Sequence, residues 1–289
     1  MFTASLIARP GALDPSLVHA LRDAWGGSDA RWLAPDEAAE FDVPEIPSNR
    51  WDVWTDLQAQ STDLLVQPTK GRQKKMLLAD MDSTMIRQEC IDELAEVAGV
   101  GARVREITAR AMNGELGFEG ALTERVALLA GLPEEIVDDV LATRIELMPG
   151  GETLLATMKA AGAHAALVSG GFTAFTSRIA ARLGFDEHRA NTLLAEGGTL
   201  TGRVAEPILG REAKVAALSE ITARLGLSEA DVLAVGDGAN DLGMLGRAGT
   251  GVALHAKPSV QEKCDLRVNH GDLTALLYLQ GYAKADFAA

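Results

Sequence analysis

Two aspartates one residue apart stand out among the residues of this chain that could do chemistry. Asp80 and Asp82 follow an apolar run that begins at residue 76, and Ser83 and Thr84 come directly after them. A short apolar run predicts a buried strand, and ligands of open α/β sheets bind at such strand ends. Two carboxylates this close repel each other, so a cation or a shared proton is expected. The pair alone could be a turn, but this context favours a magnesium-dependent site in which one carboxylate attacks phosphorus and the other transfers protons.

A second motif has the residues of an anion-binding loop. The predicted strand 163–169 ends in Ser169-Gly170-Gly171, and a predicted helix, 172–183, follows. One hydroxyl, exposed backbone N–H groups and a helix N-terminus together suit a phosphate. A simple turn with permissive glycines is the alternative interpretation of the same residues.

A third motif places more carboxylates at a strand end. The predicted strand 231–236 leads into Asp237-Gly238, and Asn240 and Asp241 open the next predicted helix. The spacing does not fit a calcium-binding EF-hand, whereas oxygen ligands of this kind suit Mg²⁺. A plain Asp-Gly turn would not explain so many carboxylates.

Lys214 is the fourth candidate, and only the other three motifs support a catalytic role for it. It lies on a predicted helix, 214–225, where a lone lysine is usually solvated. A catalytic lysine would pair with the nucleophile and with the phosphate charge.

The composition argues against several classes of protein. The net charge of −14 disfavours a nucleic-acid binder and attraction to anionic membranes. No apolar run approaches the roughly 18–20 residues of a membrane span, and no signal peptide is recognised. Cys90 and Cys264 show no zinc-type spacing and are expected to be reduced packing residues. We expect a cytoplasmic protein with a small-molecule substrate, no nucleic-acid partner and no membrane partner.

The order of predicted elements gives the fold class. From residue 75 onward strands and helices alternate, which predicts an α/β fold with a doubly wound, mostly parallel sheet. Edge strands are expected at 251–254 and 266–268, and a hairpin around Gly197-Gly198. Residues 86–148 are predicted to be helical, with breaks at 99–101, 113–114 and 131–133. This insertion after the first core strand is too long for a simple crossover and predicts a helical cap.

The N-terminal part differs from the rest in composition. It holds all four tryptophans and is expected to contain one βα unit and two weak strands, before a polar, basic linker at 67–75. We therefore predict a small α+β domain at residues 1–70, a catalytic core at 71–85 and 149–289, and the cap at 86–148.

The four motifs together resemble those of the haloacid dehalogenase (HAD) superfamily, in its order and near its spacing. The resemblance covers about residues 72–285 and is closest to its phosphoserine phosphatases, on Asp82-Ser83-Thr84 and Ser169-Gly170-Gly171-Phe172. It implies a HAD-like Rossmannoid core and Mg²⁺-dependent hydrolysis of O-phosphoserine to serine and phosphate through an aspartyl-phosphate, the last step of serine biosynthesis.

The resemblance also implies a role for each core residue. Asp80 would be the nucleophile and Asp82 the acid and base. Mg²⁺ would be held by Asp80, the backbone carbonyl of Asp82 and Asp237, with Asp241 supporting them. The phosphate oxygens would be stabilised by Ser169, the amide of Gly170 and Lys214, and Asn240 would position substrate or water.

In the predicted cap, three residues match the superfamily's substrate contacts. Glu89 corresponds to the glutamate that contacts the substrate ammonium, Phe118 to an aromatic that shields the pocket, and Arg125 to the arginine that holds the substrate carboxylate. A guanidinium fork does suit a carboxylate. From the residues alone, the two charged side chains could equally be surface charges on helices.

The family leaves residues 1–70 open. Related bacterial enzymes carry an N-terminal domain similar to the ligand-sensing ACT fold, of which this segment would be a degenerate form. A packing or dimerisation domain is the favoured interpretation, so a homodimer is the assembly to test for. Two other functions stay open: a HAD phosphatase for another small substrate, such as phosphothreonine or a phosphorylated sugar acid, and a non-catalytic regulatory protein that binds amino acids.

Overall fold

A computed structural model describes residues 1–112 and 115–288 of the 289. The helix break predicted at 113–114 lies outside the described residues. None of the helices within these ranges combines the length and the apolar composition that crossing a bilayer requires.

The N-terminal part forms an antiparallel sheet with two helices. Its strands have the spatial order β2-β3-β1-β4, which is the arrangement of a split βαβ, ferredoxin-like unit. The sequence prediction of one βα unit and two weak strands therefore missed one helix and one strand. The elements are β1 (Phe2–Ile7), α1 (Pro15–Ala24), β2 (Arg31–Ala34), β3 (Ala38–Val43), α2 (Arg50–Gln58) and β4 (Asp63–Pro68).

The weak strand signal has a physical cause, since polar residues of this sheet are buried. Glu37, just before β3, accepts a hydrogen bond from the hydroxyl of Tyr278 at 2.8 Å, and Gln67 donates to the carbonyl of Leu279 at 2.7 Å. These contacts cover a sheet face that would otherwise meet water. The usual alternation of apolar and polar residues along a half-exposed strand is lost for this reason.

The rest of the chain alternates strands and helices as predicted. Its elements are β5 (Met76–Ala79), α3 (Cys90–Val97), α4 (Gly101–Met112), α5 (Phe118–Ala127), α6 (Ile136–Thr143), α7 (Gly151–Ala160), β6 (His164–Phe172), α8 (Thr173–Leu183), β7 (Glu187–Asn191), β8 (Leu193–Glu196), β9 (Thr199–Val204), α9 (Arg211–Leu225), β10 (Val232–Gly236), α10 (Leu242–Arg247), β11 (Thr250–Leu254), α11 (Pro258–Gln261), β12 (Leu266–Val268) and α12 (Ala275–Leu279).

Six of these strands form one sheet in the order β12-β11-β10-β5-β6-β7. The N–H of Lys75 donates to the carbonyl of Asp231, and the N–H of His164 donates to the carbonyl of Lys75. The three central strands therefore start at the same edge and run parallel. This confirms the predicted α/β fold class, and the predicted hairpin is present as β8 and β9. Strand β11, predicted as an edge, is internal because it pairs with β10 and β12.

The described residues divide into two compact units. The first consists of residues 1–78, 149–165 and 218–288 and holds the N-terminal sheet and β10–β12. The second consists of residues 79–148 and 166–217 and holds β7–β9. Four helices of the second unit, α3–α6, occupy the segment in which the sequence predicts helices.

Candidate active site

The carboxylate that follows β5 lies against a buried ammonium. Lys214, on the first turn of α9, places its Nζ 2.6 Å from Oδ1 of Asp80, and both residues are at least 96% buried. In such surroundings an opposite charge at this distance interacts far more strongly than in water. Lys214 is therefore not the solvated helix lysine that its position would suggest. It compensates the charge of a carboxylate that is otherwise costly to bury.

Asp82 lies at the N-terminus of α3 and beside the second motif. Its Oδ1 accepts a hydrogen bond from the N–H of Cys90 at 2.9 Å, and its Oδ2 accepts one from the hydroxyl of Ser169 at 3.3 Å. Removal from solvent raises the pKa of the Asp82 carboxyl, against the opposing effects of the Cys90 hydrogen bonds and the Lys214 charge. A carboxyl that keeps its proton to higher pH than a solvated aspartate is suited to general acid catalysis.

Cys90 is a contact that sequence analysis missed. It is buried and unpaired, as expected of a packing residue. It is also the first residue of α3, so its N–H is one of the donors that a helix leaves free for a ligand or side chain. Burial, followed by the charge of Asp82, raises the pKa of its thiol. The signal available in the sequence was its place at the helix start, eight residues after Asp82.

The Ser169-Gly170-Gly171 motif forms an irregular part of β6 rather than following its end. Val168 pairs with Arg189 and Phe172 with Asn191, so two extra residues of β6 are accommodated between these pairs. A bulge of this kind redirects side chains and is common beside active sites. Ser169 is buried, and its hydroxyl accepts a hydrogen bond from the N–H of Gly171 at 2.8 Å.

Asn191, at the end of β7, holds this loop and was also missed. Its side-chain amide donates to the carbonyls of Gly170 and Leu209, at 2.9 and 3.2 Å, and its carbonyl accepts from the N–H of Leu209 at 2.7 Å. It thereby connects the second motif to the segment that leads into α9 and Lys214. A lone asparagine in an unremarkable sequence context gives no sign of this role.

The close approach of Gly171 to Asp82 gives a first testable prediction. A Cβ on Gly171 would lie 2.7 Å from Oδ2 of Asp82 and 3.1 Å from Oγ of Ser169. Gly171→Ala should therefore displace both groups and lower the turnover number kcat by about 10- to 100-fold, measured as phosphate release from the substrate that the sequence resemblance implies. Gly246→Ala is the matched control, because nothing lies within 4 Å of a Cβ there. Equal activity of the two variants would contradict this account of Gly171.

Two of the three predicted substrate contacts, Glu89 and Arg125, carry opposite charges. The charges of Glu89 and Asp82 both act on the Arg125 guanidinium. Burial lowers the pKa of the Arg125 guanidinium, and the charges of Asp92, Glu89 and Asp82 oppose that shift. Its Nε donates to the carbonyl of Ala121 at 3.2 Å, one turn earlier on α5. Glu89 is exposed and accepts a hydrogen bond from the hydroxyl of Ser83 at 2.8 Å. Arg125 and Glu89 therefore contribute opposite charges that interact with each other.

Phe118, the third predicted substrate contact, begins α5 and covers two glycines. A Cβ on Gly170 would lie 3.2 Å from the Phe118 ring, and one on Gly210 would lie 3.4 Å from it. The residue as a whole is 37% exposed. An exposed aromatic against the Gly170 backbone is placed to restrict access to that loop.

The remaining predicted residues lie in the first compact unit, after β10. Asp241 is fully buried, and its Oδ2 accepts a hydrogen bond from the N–H of Gly238 at 2.9 Å. Asp237 and Asn240 are partly exposed. Asp237 follows β10 as Asp80 follows β5, and these neighbouring strands run parallel from a common starting edge. Both aspartates therefore belong to the carboxyl edge of the sheet.

Asp237 and Asp241 in the first compact unit, and Asp80 in the second, each offer a carboxylate oxygen that can bind a divalent metal ion. Carboxylate oxygens are hard ligands of the kind that Mg²⁺ and related ions prefer. The donor set therefore fits the ion that the sequence predicts.

Comparisons with known proteins show the family of the chain. A family model described as haloacid dehalogenase-like hydrolase matches residues 77–246. A phosphoserine phosphatase of Archaeoglobus fulgidus is 44% identical over 216 residues, 74% of this chain and 62% of that protein. One of a Polaromonas species is 46% identical over 210 residues, 71% of this chain and 89% of that protein.

A solved structure is similar over nearly the whole chain, including the N-terminal part. It is a HAD family hydrolase from Salmonella enterica serovar Typhi, with a TM-score of 0.87 and 31% sequence identity, covering 96% of this chain and 98% of that one. This chain spans less than two thirds of the length of the Archaeoglobus relative. The matched family model and the extent of these similarities confirm the resemblance found in the motifs: the chain belongs to the haloacid dehalogenase-like hydrolase family.

Proposed function

We propose that this protein hydrolyses O-phosphoserine to serine and phosphate, the last step of serine biosynthesis. The observation that carries the proposal is the buried Lys214–Asp80 pair, 2.6 Å long, beside a carboxyl, Asp82, whose pKa is raised. A nucleophile held against a cation and a neighbouring acid are what phosphoryl transfer to a carboxylate requires. The similarity to proteins named phosphoserine phosphatase supports the choice of substrate.

In the proposed reaction, a carboxylate oxygen of Asp80 attacks phosphorus while the bond from phosphorus to the serine oxygen breaks. Asp82 donates its proton to that oxygen, and serine leaves. Asp82 then accepts a proton from a water molecule, whose oxygen attacks the aspartyl-phosphate and releases phosphate with Asp80 restored. Lys214, the Ser169 hydroxyl and the amide of Gly170 would stabilise the phosphoryl oxygens throughout.

We propose that the ion is Mg²⁺, held by Asp80, the backbone carbonyl of Asp82 and Asp237. Asp241 would support these ligands without binding the ion directly. The all-oxygen donor set supports Mg²⁺. When bound, it would neutralise phosphate charge and so relieve the repulsion between the anionic substrate and these aspartates. Asn240, next to Asp241, would position substrate or water.

Substrate selection is proposed to come from the cap, residues 86–148. Arg125 would hold the substrate carboxylate and Glu89 its ammonium, and their opposite charges support this assignment. Phe118 would restrict access once substrate is bound. The core would then be residues 71–85 and 149–289, with residues 1–70 a separate small domain.

We also propose a cytoplasmic location and a homodimer. The two cysteines of the chain, Cys90 and Cys264, are both unpaired and buried, as is usual in reducing compartments. A dimer would be checked by measuring the mass of the purified protein in solution.

The test of the function is phosphate release from O-phosphoserine with Mg²⁺, and again after EDTA treatment. Turnover should fall to background with EDTA and return when Mg²⁺ is added in excess. O-phosphothreonine is the comparison substrate and should be turned over more slowly, because its extra methyl group must fit under the cap. Turnover insensitive to EDTA would contradict the metal assignment, and equal rates on both substrates would contradict the stated specificity.

A further inference from the structure

A cavity of about 430 Å³ lies within the first compact unit, and no residue proposed for catalysis lines it. Its walls come from β4 and the segment after it, from the start of α2 and the loop before it, and from the residues around α10 and β12. Both its size and its enclosure by several elements are typical of sites for small molecules.

The charge of this cavity is opposite to that of the protein. Five basic side chains line it against a single carboxylate, that of Asp265, although the chain as a whole carries a net charge of −14. The basic residues are Arg50, Lys70, Arg72, Lys74 and Lys263. A concave surface with this local excess attracts anions even on an acidic protein.

The two arginines already have partners, so the excess comes from the lysines. Arg50 is 2.6 Å from Asp265, and Arg72 donates to both oxygens of Glu40. Within the part of the chain that the structure describes, no carboxylate lies within 4 Å of the ammonium groups of Lys70, Lys74 or Lys263. These three positive charges are therefore available to an incoming anion.

Lys74 is the most informative of the three. It is half-buried, and its Nζ donates to the carbonyl of Ala230 at 2.8 Å, which holds it in place. Burial lowers the pKa of its ammonium, against the opposing charge of Asp231. An anion in the cavity would offset that desolvation cost.

The other walls are apolar, which indicates that the ligand has an uncharged body as well. Val66, Leu245 and Leu266 are buried there, and Phe2 and Ile46 lie at the same surface. Lysine ammonium groups bind phosphate as point charges. We infer that this cavity is a second ligand site, separate from the catalytic residues, that binds a small organic phosphate of about mononucleotide size.

Adenosine 5′-monophosphate (AMP) is a suitable probe. Inorganic phosphate and adenosine then test its charged group and its uncharged body separately. Binding to the full chain would be measured by titration calorimetry in EDTA at low ionic strength. We expect AMP to bind with a Kd below about 1 mM, and more tightly than either half. Binding should weaken as salt is raised, because the contacts are charged and partly exposed.

The decisive variant is K70E/K263E, which reverses two exposed charges and should weaken AMP binding at least about tenfold. The matched control is R9E/R103E, which makes the same change of net charge at exposed positions outside the cavity and should alter binding by less than about twofold. Phosphoserine turnover should be unchanged in both, which also shows that both fold.

Three results would overturn the inference. The first is AMP binding that does not saturate in the wild type. The second is equal weakening in K70E/K263E and R9E/R103E, which would indicate a general charge effect or binding at Asp80. The third is inorganic phosphate or adenosine binding as tightly as AMP. If the wild-type protein does not hydrolyse O-phosphoserine, the proposed function is contradicted, whereas the inference about the cavity still stands.

Discussion

Asp80→Asn is expected to lower turnover of O-phosphoserine by about 10³- to 10⁵-fold while leaving the protein folded. An amide oxygen is a poor nucleophile, so no aspartyl-phosphate would form. The change also removes the carboxylate charge that faces Lys214 at 2.6 Å. Breaking a buried ion pair from one side costs as much as about 3–5 kcal/mol of unfolding free energy, so denaturant unfolding should be measured beside phosphate release.

A double variant separates the two effects. Asp80→Asn with Lys214→Met removes both charges and should recover part of the lost stability, because no buried ammonium is then left facing a neutral group. It should recover no activity. Asp56→Asn, on α2 of the first unit, is the matched control for an exposed aspartate and should change neither quantity. Near-normal turnover in Asp80→Asn would refute Asp80 as nucleophile, however stable the variant proved.

Much of the fold and of the core site could be predicted because the informative signals are local. Strands β5 and β10 are short, wholly buried apolar runs, and an aspartate follows each of them directly. In a parallel sheet those two facts alone bring Asp80 and Asp237 to one edge. The motif residues thus reveal their position through their immediate neighbours in sequence.

Contacts that depend on distant parts of the chain could not be predicted in this way. Asn191 is 21 residues from Gly170 and 18 from Leu209, yet it holds both. The bulge in β6 that contains Ser169 depends on the register of β6 against β7. The N-terminal sheet was underestimated for a related reason, since Glu37 and Gln67 are buried by residues more than 200 positions away.

Arg125→Ala is expected to lower kcat/KM for O-phosphoserine by about 100-fold, the value of a charged hydrogen-bonded contact. The matched substrate is O-phosphoethanolamine, which is phosphoserine without its carboxylate. For that substrate the same change should cost less than about threefold, because Arg125 would have no group to hold. Arg125→Lys should recover part of the loss, since it keeps the charge without the planar fork.

The comparison of two enzymes with two substrates isolates the contact between guanidinium and carboxylate from every other effect of the substitution. Arg103→Ala, an exposed arginine on the neighbouring helix α4, controls for loss of positive charge near the site and should affect both substrates little. Equal losses on phosphoserine and phosphoethanolamine in Arg125→Ala would mean that Arg125 supports the cap or the Asp82 carboxyl. Substrate selection would then have to come from other residues of α3–α6.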